Sequence, residues 1–322
     1  MQHFLPALTL ALAGLAAAGS AQAYTNAYFF GDSLSDTGNI FTLTGGATPT
    51  APYFNGRFSD GPVWVETLAS RIGLPNSDTA SLQGGTNFAF GGARTSGGSI
   101  PSLLTQVGSV TSPAGSLDPS ALYVVVAGGN DMRDARSAFP TMDAAGAAGR
   151  LAAAQAAAGN IRTALQLLAA DGARHVLVAN LPDLGGTPEA FALGLVAPSS
   201  DVSAQFNAQF SSVLSFGQGL GLTMNFLDMA GLSTAIRNDA LFNGGAVYGL
   251  SNALTPCGTF QGSIGISCSV SLFSDALHPS AAAHLILGNA AAALVPEPET
   301  YAMMLLGLAA VAAATRRRAA AR

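Results

Sequence analysis

The chain has 322 residues, of which 49% are hydrophobic and only 10% charged, with a formal net charge of −5. Between residues 24 and 294 nine arginines face sixteen acidic residues, and lysine is absent throughout. This balance excludes the basic surface of a nucleic-acid binder. Two cysteines and four histidines, one of them in residues 1–23, argue against a zinc site.

Taken in chain order, residues 1–23 read as a secretory signal peptide. Leu5 to Ala18 form an apolar core, and Ala21-Gln22-Ala23 is a small-residue cleavage site. The basic n-region is missing, with only His3 and the α-amino group in its place. Ala27-Tyr28-Phe29-Phe30 is a short buried strand bounded by Gly31, and the polar stretch after it turns and opens a helix. Ala121 to Ala127 is a stronger strand ending at Gly128-Gly129. Residues from about Thr141 to Ala170 form an Ala-rich helix with an apolar stripe at Leu151, Ile161, Leu165 and Leu168, broken by Gly172. His175 to Asn180 is the next strand. A helix from Ser203 to about Phe216 and a strand from Thr223 to Asp228 follow, and Pro279 to Leu294 is the last helix.

Apolar strands alternating with helices imply right-handed crossovers and a parallel sheet covered on both faces. Sites in such sheets lie beyond the carboxyl ends of the strands. The polar, glycine-containing segments Phe41–Asn55 and Leu241–Ser274 are long for loops and are expected to rim a cleft. Tyr53, Phe54, Phe58 and Trp64 either line that cleft or pack in the core. Cys257 and Cys268, close together in an exported chain, are expected to form a disulfide worth about 2–3 kcal/mol, with free thiols as the alternative.

Two short motifs carry the chemistry. Gly31-Asp32-Ser33-Leu34 supplies a hydroxyl after the first strand, and Asp275-Ala276-Leu277-His278 pairs a carboxylate with an imidazole. A serine becomes a nucleophile when a base takes its proton, and a histidine held by a carboxylate is the usual base. Ser33 otherwise reads as a helix N-cap, and Asp275 as the N-cap of the last helix.

Gly31-Asp32-Ser33-Leu34 resembles the first block of the GDSL, or SGNH, hydrolases. Thr86-Asn87-Phe88-Ala89-Phe90-Gly91-Gly92-Ala93 is similar to the second, Gly128-Gly129-Asn130-Asp131 to the third, and Asp275-x-x-His278 to the last, all in family order over residues 27–290. The wider strings, including Asn180 to Gly185, look most like secreted bacterial lipase-like members. The resemblance implies an α/β fold, a three-layer α/β/α sandwich with a mainly parallel, flavodoxin-like central sheet. It implies Ser33 as nucleophile, His278 as base and Asp275 as its carboxylate. The implied oxyanion donors are the N–H groups of Ser33 and Gly92 and the amide of Asn130, with Gly91 a rival to Gly92. Asp32 and Asp131 are expected to be structural, His284 packed or solvated, and His175 without a role. No cofactor is needed. The implied activity is hydrolysis of carboxylic esters, lipid or short-chain, rising with pH near the ~6.5 of an unperturbed imidazole. Removal of acetyl groups from polysaccharide and a non-catalytic matrix protein on the same fold are the alternatives.

The end of the chain, Val295-Pro296-Glu297-Pro298, an apolar run from Tyr301 to Ala314 and then Arg316-Arg317-Arg318, resembles the PEP-CTERM sorting tail. In that family the tail is recognised by an exosortase in Gram-negative bacteria. The expected organisation is therefore a signal at 1–23, a hydrolase domain at 24–294 and a sorting segment at 295–322. The expected location is the cell envelope or the outside, with transient membrane anchoring through the C-terminal helix.

Overall fold

A computed structural model describes residues 24–111, 116–257, 265–295 and 307–308. Thr25–Leu294 form one compact unit. Of the second unit, made by the two ends of the chain, only Tyr24, Val295, Gly307 and Leu308 are described. The expected signal peptide lies outside the described residues.

Four strands, β1 (Ala27–Gly31), β2 (Leu122–Val126), β3 (His175–Ala179) and β4 (Thr223–Leu227), form a wholly parallel sheet in the order β1-β2-β3-β4. Their sequences are runs of aromatic and branched residues without alternation, because both faces of β1 to β3 are covered. β4 is more open, as befits an edge. Thr86–Phe90 runs along the free side of β1: Phe29 N–H donates to Thr86, and Phe88 and Phe90 donate to Phe29 and Gly31. After β1 the chain thus lays down a segment on one side, then returns to build β2 to β4 on the other. That reversal creates a switch point at the carboxyl end of β1, where doubly wound sheets place their ligands.

The helices are α1 (Asn39–Leu43), α2 (Trp64–Arg71), α3 (Leu103–Gly108), α4 (Gly129–Ala138), α5 (Ala144–Ala170), α6 (Pro188–Ala192), α7 (Val196–Asn207), α8 (Phe210–Gly219), α9 (Met229–Asn243) and α10 (Ala281–Leu294). α3, α5, α7 and α8 cover one face of the sheet, closing a core of Phe30, Tyr123, Val125, Val178, Ile161 and Phe206. α5 buries Ala154, Ala157, Ala158, Ile161, Leu165 and Leu168 in that core. Asp143 caps its start by accepting the Gly146 N–H at 2.8 Å. α2 and α10 pack together in the other layer, where Gly288 lies against Trp64 and Thr67. The result is the expected three-layer α/β/α sandwich with a parallel central sheet.

Several local expectations change. The helix read over Ser203–Phe216 is two helices, α7 and α8. α4 was not expected at all: its sequence, Gly-Asn-Asp-Met-Arg-Asp-Ala-Arg-Ser-Ala, is polar and opens with glycine. It buries only Met132, Ala135 and Arg136. Leu241–Ser274 is not wholly loop, since α9 runs into it as far as Asn243 and a 3₁₀ turn spans Cys268–Val270. Cys257 and Cys268 are joined as a disulfide with their Cα atoms 4.9 Å apart.

The expected transient membrane anchoring through the C-terminal helix is overturned. Among the described residues no helix is long and apolar enough to cross a membrane. The apolar run itself, Tyr301 to Ala314, falls short of the roughly 20 residues that a span requires.

Candidate active site

Ser33 stands two residues beyond β1, at the switch point. Gly31 lets the chain leave the sheet there: a Cβ on it would sit 2.2 Å from the Val126 carbonyl oxygen. The following turn is closed by Asp32, whose carbonyl accepts from the N–H groups of Ser35 and Asp36 and whose Oδ1 accepts from Leu34 at 3.1 Å. Ser33 therefore lies in a tight turn and not at a helix N-cap. Burial pushes the Asp32 carboxyl up to about 6.

Asp36 is wholly buried and ties this turn to the second motif. Its carboxylate accepts from the N–H groups of Gly38, Asn39 and Ile40, and from that of Gly91 at 2.7 Å. Asn39 and Asn87 stitch the same segments together: the Asn39 amide donates to the carbonyls of Asn87 and Ala89, and that of Asn87 to Ser35.

His278 arrives from the far end of the unit. Ser274-Asp275-Ala276-Leu277-His278 is a turn in which Asp275 Oδ1 accepts from the backbone of Leu277 at 2.7 Å and His278 at 2.5 Å. Ser280 Oγ and Asp60, not Asp275, cap the first turn of α10. Asp275 Oδ2 lies 2.6 Å from His278 Nδ1, and His278 Nε2 lies 2.9 Å from Ser33 Oγ. Burial raises the Asp275 carboxyl, but the bonds from His278 and from Tyr53 outweigh it and bring it down to about 2. An ionised carboxylate only accepts, so Nδ1 carries the ring proton and Nε2 is left to accept from the serine hydroxyl.

Of the expected oxyanion donors, Ser33 and Asn130 line one cavity with His278. Among the described residues the N–H groups of Ser33 and Gly92 have no hydrogen-bond partner. The Gly91 N–H is already given to Asp36. Gly92 is exposed with φ +80°, and open space lies where its Cβ would be. Asn130, in the first turn of α4, donates one amide hydrogen to Ala93 at 2.9 Å and accepts from Arg133 Nη1 at 3.3 Å, which leaves its second amide hydrogen available. Arg133 is held in turn by Glu189, which also pairs with Arg136. Asp131 grips Thr95 through both backbone and hydroxyl, the structural role expected of it.

Sequence reasoning missed three contributors. Tyr53 donates its phenol to Asp275 Oδ2 at 2.5 Å. Phe58 packs on the His278 ring, centroid to centroid 5.2 Å. Arg133 sits three residues after Asn130, on the same helical face, a spacing visible only once α4 is known to be a helix. Neither Tyr53 nor Phe58 walls the cleft, and Trp64 is buried in the core with its indole N–H on Ser35 Oγ. His284 is fully buried, accepting the Trp64 N–H at Nδ1.

Beside Ser33 and His278 opens a cavity of about 170 Å³ walled by Leu181, Leu184, Ile236, Leu272, Leu277 and Leu287. The expected rim Leu241–Ser274 contributes Leu272 and Phe273, whereas Phe41–Asn55 contributes no wall residue among those described. Asp60, Cys257 and Cys268 are close enough to suggest metal ligands, but both sulfurs are spent in the disulfide.

Comparisons with known proteins bear on this arrangement. The chain is 30% identical to a phosphatidylcholine-sterol acyltransferase of Aeromonas hydrophila over 63% of its length and 58% of that protein. It is 27% identical to Esterase EstA of Pseudomonas aeruginosa over 92% of its length and 51% of that protein. The chain thus spans about half the length of the curated relatives it matches. Among solved structures, Est24, a carbohydrate acetylesterase from Sinorhizobium meliloti, is similar with a TM-score of 0.40 and 18% identity, over 87% of this chain and 99% of that one; so distant a likeness carries no argument. Residues 294–318 match the PEP-CTERM protein-sorting motif, which supports the expected cell-envelope or extracellular location. Residues 28–291 match the family model of the GDSL-like lipases and acylhydrolases, and the chain belongs to that family.

Proposed function

We propose that this chain is an exported serine hydrolase of carboxylic esters, acting through an acyl-enzyme on Ser33. The observation that carries the reading is the unbroken relay Asp275 Oδ2, His278 Nδ1, His278 Nε2, Ser33 Oγ, at 2.6 and 2.9 Å. Ser33 Oγ attacks the ester carbonyl while His278 Nε2 takes its proton, and Asp275 stabilises the imidazolium without becoming protonated. The N–H groups of Ser33 and Gly92 and the Asn130 amide receive the negative charge that develops on the carbonyl oxygen. Gly92 is assigned this role over Gly91 because the Gly91 N–H is committed to Asp36. Collapse of the tetrahedral intermediate expels the alcohol, which takes the proton back from His278. Water, deprotonated by the same nitrogen, then attacks the acyl-enzyme; the acid leaves and Ser33 recovers its proton.

The leucine and isoleucine walls beside Ser33 favour an acyl chain over the acetyl group of a polysaccharide. Residues 24–294 constitute the hydrolase, residues 1–23 the export signal and 295–322 the segment that an exosortase-type enzyme processes.

The test uses p-nitrophenyl butyrate and a fluorophosphonate probe. The protein is expected to hydrolyse the one and be labelled by the other, and Ser33→Ala to do neither while keeping its thermal unfolding midpoint. A folded wild-type protein that neither turns over nor labels is a binding protein on a hydrolase fold, and the reading fails.

A further inference from the structure

Among the charged side chains of the cavity beside Ser33 that the relay does not use, one stands without a partner in the described residues. It is Arg237, on α9. Each of the other eight arginines between residues 24 and 294 has a hydrogen-bond acceptor. Arg57, Arg94, Arg133, Arg136 and Arg150 pair with carboxylates. Arg71, Arg162 and Arg174 reach an amide oxygen, a hydroxyl and two carbonyls. Among the described residues Arg237 has no such partner, and its Nε is buried with its hydrogen-bonding capacity unmet. A buried donor left unpaired costs about 1–3 kcal/mol, more when charged. Such a group is tolerated where something outside the chain completes it.

Its setting limits what that something is. Gly186 lies beneath the side chain, 3.6 Å from Cδ and Nε measured at the position of an added Cβ, so a glycine makes the floor on which the side chain rests. Arg133, the other cation of the cavity, is already bonded to Glu189, which it shares with Arg136. Asp183, three residues before Gly186, turns its oxygens to the Gly185 N–H and the Ser200 hydroxyl. Asp32 also lines the cavity; burial raises its carboxyl to about 6, and its Oδ1 accepts the Leu34 N–H. The remaining walls are largely aliphatic. A guanidinium at the edge of an apolar pocket matches an oxyanion in a planar or tetrahedral group, which accepts two parallel N–H bonds.

We infer that the cleft is built for an amphiphilic ester that carries a phosphate or carboxylate group, with Arg237 binding that anion while the aliphatic wall holds the chain. This inference rests on the proposed ester-hydrolase reading for its chemistry, but binding can be measured without turnover. Arg237 is thus a specificity-determining residue, which selects among esters and takes no part in the proton transfers.

The test uses the full chain carrying Ser33→Ala, so that nothing is consumed, and titrates it calorimetrically with dodecyl phosphate, dodecanoate and dodecanol. At least one anionic amphiphile is expected to bind ten or more times more tightly than the alcohol. That advantage is expected to disappear when Arg237→Gln is added and to return in part with Arg237→Lys. Which anion binds more tightly identifies the group the site accepts. Equal affinity for dodecanol and both anions overturns the inference without any Arg237 variant being needed, as does an advantage that survives Arg237→Gln in a folded protein. Because these readouts use an inactive variant, they stand whether or not wild type labels with the fluorophosphonate.

Discussion

The phenol of Tyr53 and the imidazole of His278 share one atom: both donate to Oδ2 of Asp275, at 2.5 and 2.6 Å. The carboxylate is thereby held in one orientation by a segment 222 residues away in sequence. Its Oδ1 is filled by two backbone N–H groups, so all four bonds to Asp275 favour its ionised form. Burial together with that same bond pushes the Tyr53 phenol up, so it remains a donor across the working range.

Tyr53→Phe therefore removes one of four bonds to the carboxylate and leaves the relay in place. Activity on p-nitrophenyl butyrate is expected to fall on the order of tenfold, in kcat and not in KM, since one charge-assisted bond is worth about 1.5–3 kcal/mol and part of it is recovered by water. Asp275→Asn, which imposes the wrong histidine tautomer, is expected to cost on the order of 10⁴-fold. Equal losses in the two variants would refute a supporting role for Tyr53.

Asn130→Ala removes the one side-chain donor proposed for the oxyanion. A loss of roughly 10²–10³-fold in kcat is expected, the usual cost of one such donor. Steady-state kinetics on a short-chain ester decides it, and a loss below threefold would place Asn130 outside the site.

Gly31→Ala tests the exit from β1. The new methyl group would meet the Val126 carbonyl oxygen at 2.2 Å, an atom fixed by the sheet. Destabilisation of roughly 2 kcal/mol or more is expected, of the size that forced packing causes. The thermal unfolding midpoint is expected to drop by several degrees, and an unchanged midpoint would contradict the close approach.

His284 makes stability depend on pH. Burial, with a smaller contribution from nearby His278, lowers its imidazole to about 3. The unfolded chain takes up a proton near 6.5 and the folded one does not until near 3, so stability contributed by neutral His284 is present above 6.5 and lost as pH falls towards 3. The slope is about 1.4 kcal/mol per pH unit within that window. In urea titrations at pH 7.5 and 4.5, wild type is expected to lose more stability than His284→Asn. Parallel losses would show that His284 does not titrate in this window.

Much of this architecture was legible in the sequence because burial on both faces leaves a plain mark. Ala27–Phe30, the Val-rich strand and His175–Ala179 read as strands for that reason, and four spaced motifs located Ser33, Gly92, Asn130, Asp275 and His278. α4 was not legible: it is held by where Gly128 ends the strand and by three buried side chains, and its composition resembles a turn. Tyr53 was read as a cleft or core aromatic, because a bond between residues so far apart leaves no trace in local pattern. The same holds for Arg237, whose distinction is the absence, among the described residues, of any acceptor.

The two ends of the relay belong to opposite ends of the folding unit, Ser33 after the first strand and His278 just before the last helix. During synthesis the hydroxyl emerges early and waits for its imidazole until almost the whole unit has been made. Any product of premature termination or of proteolysis before Asp275 carries the nucleophile without its base. On the proposed mechanism such a fragment has a hydroxyl with nothing to activate it, and ester cleavage begins only once the chain has been completed and folded.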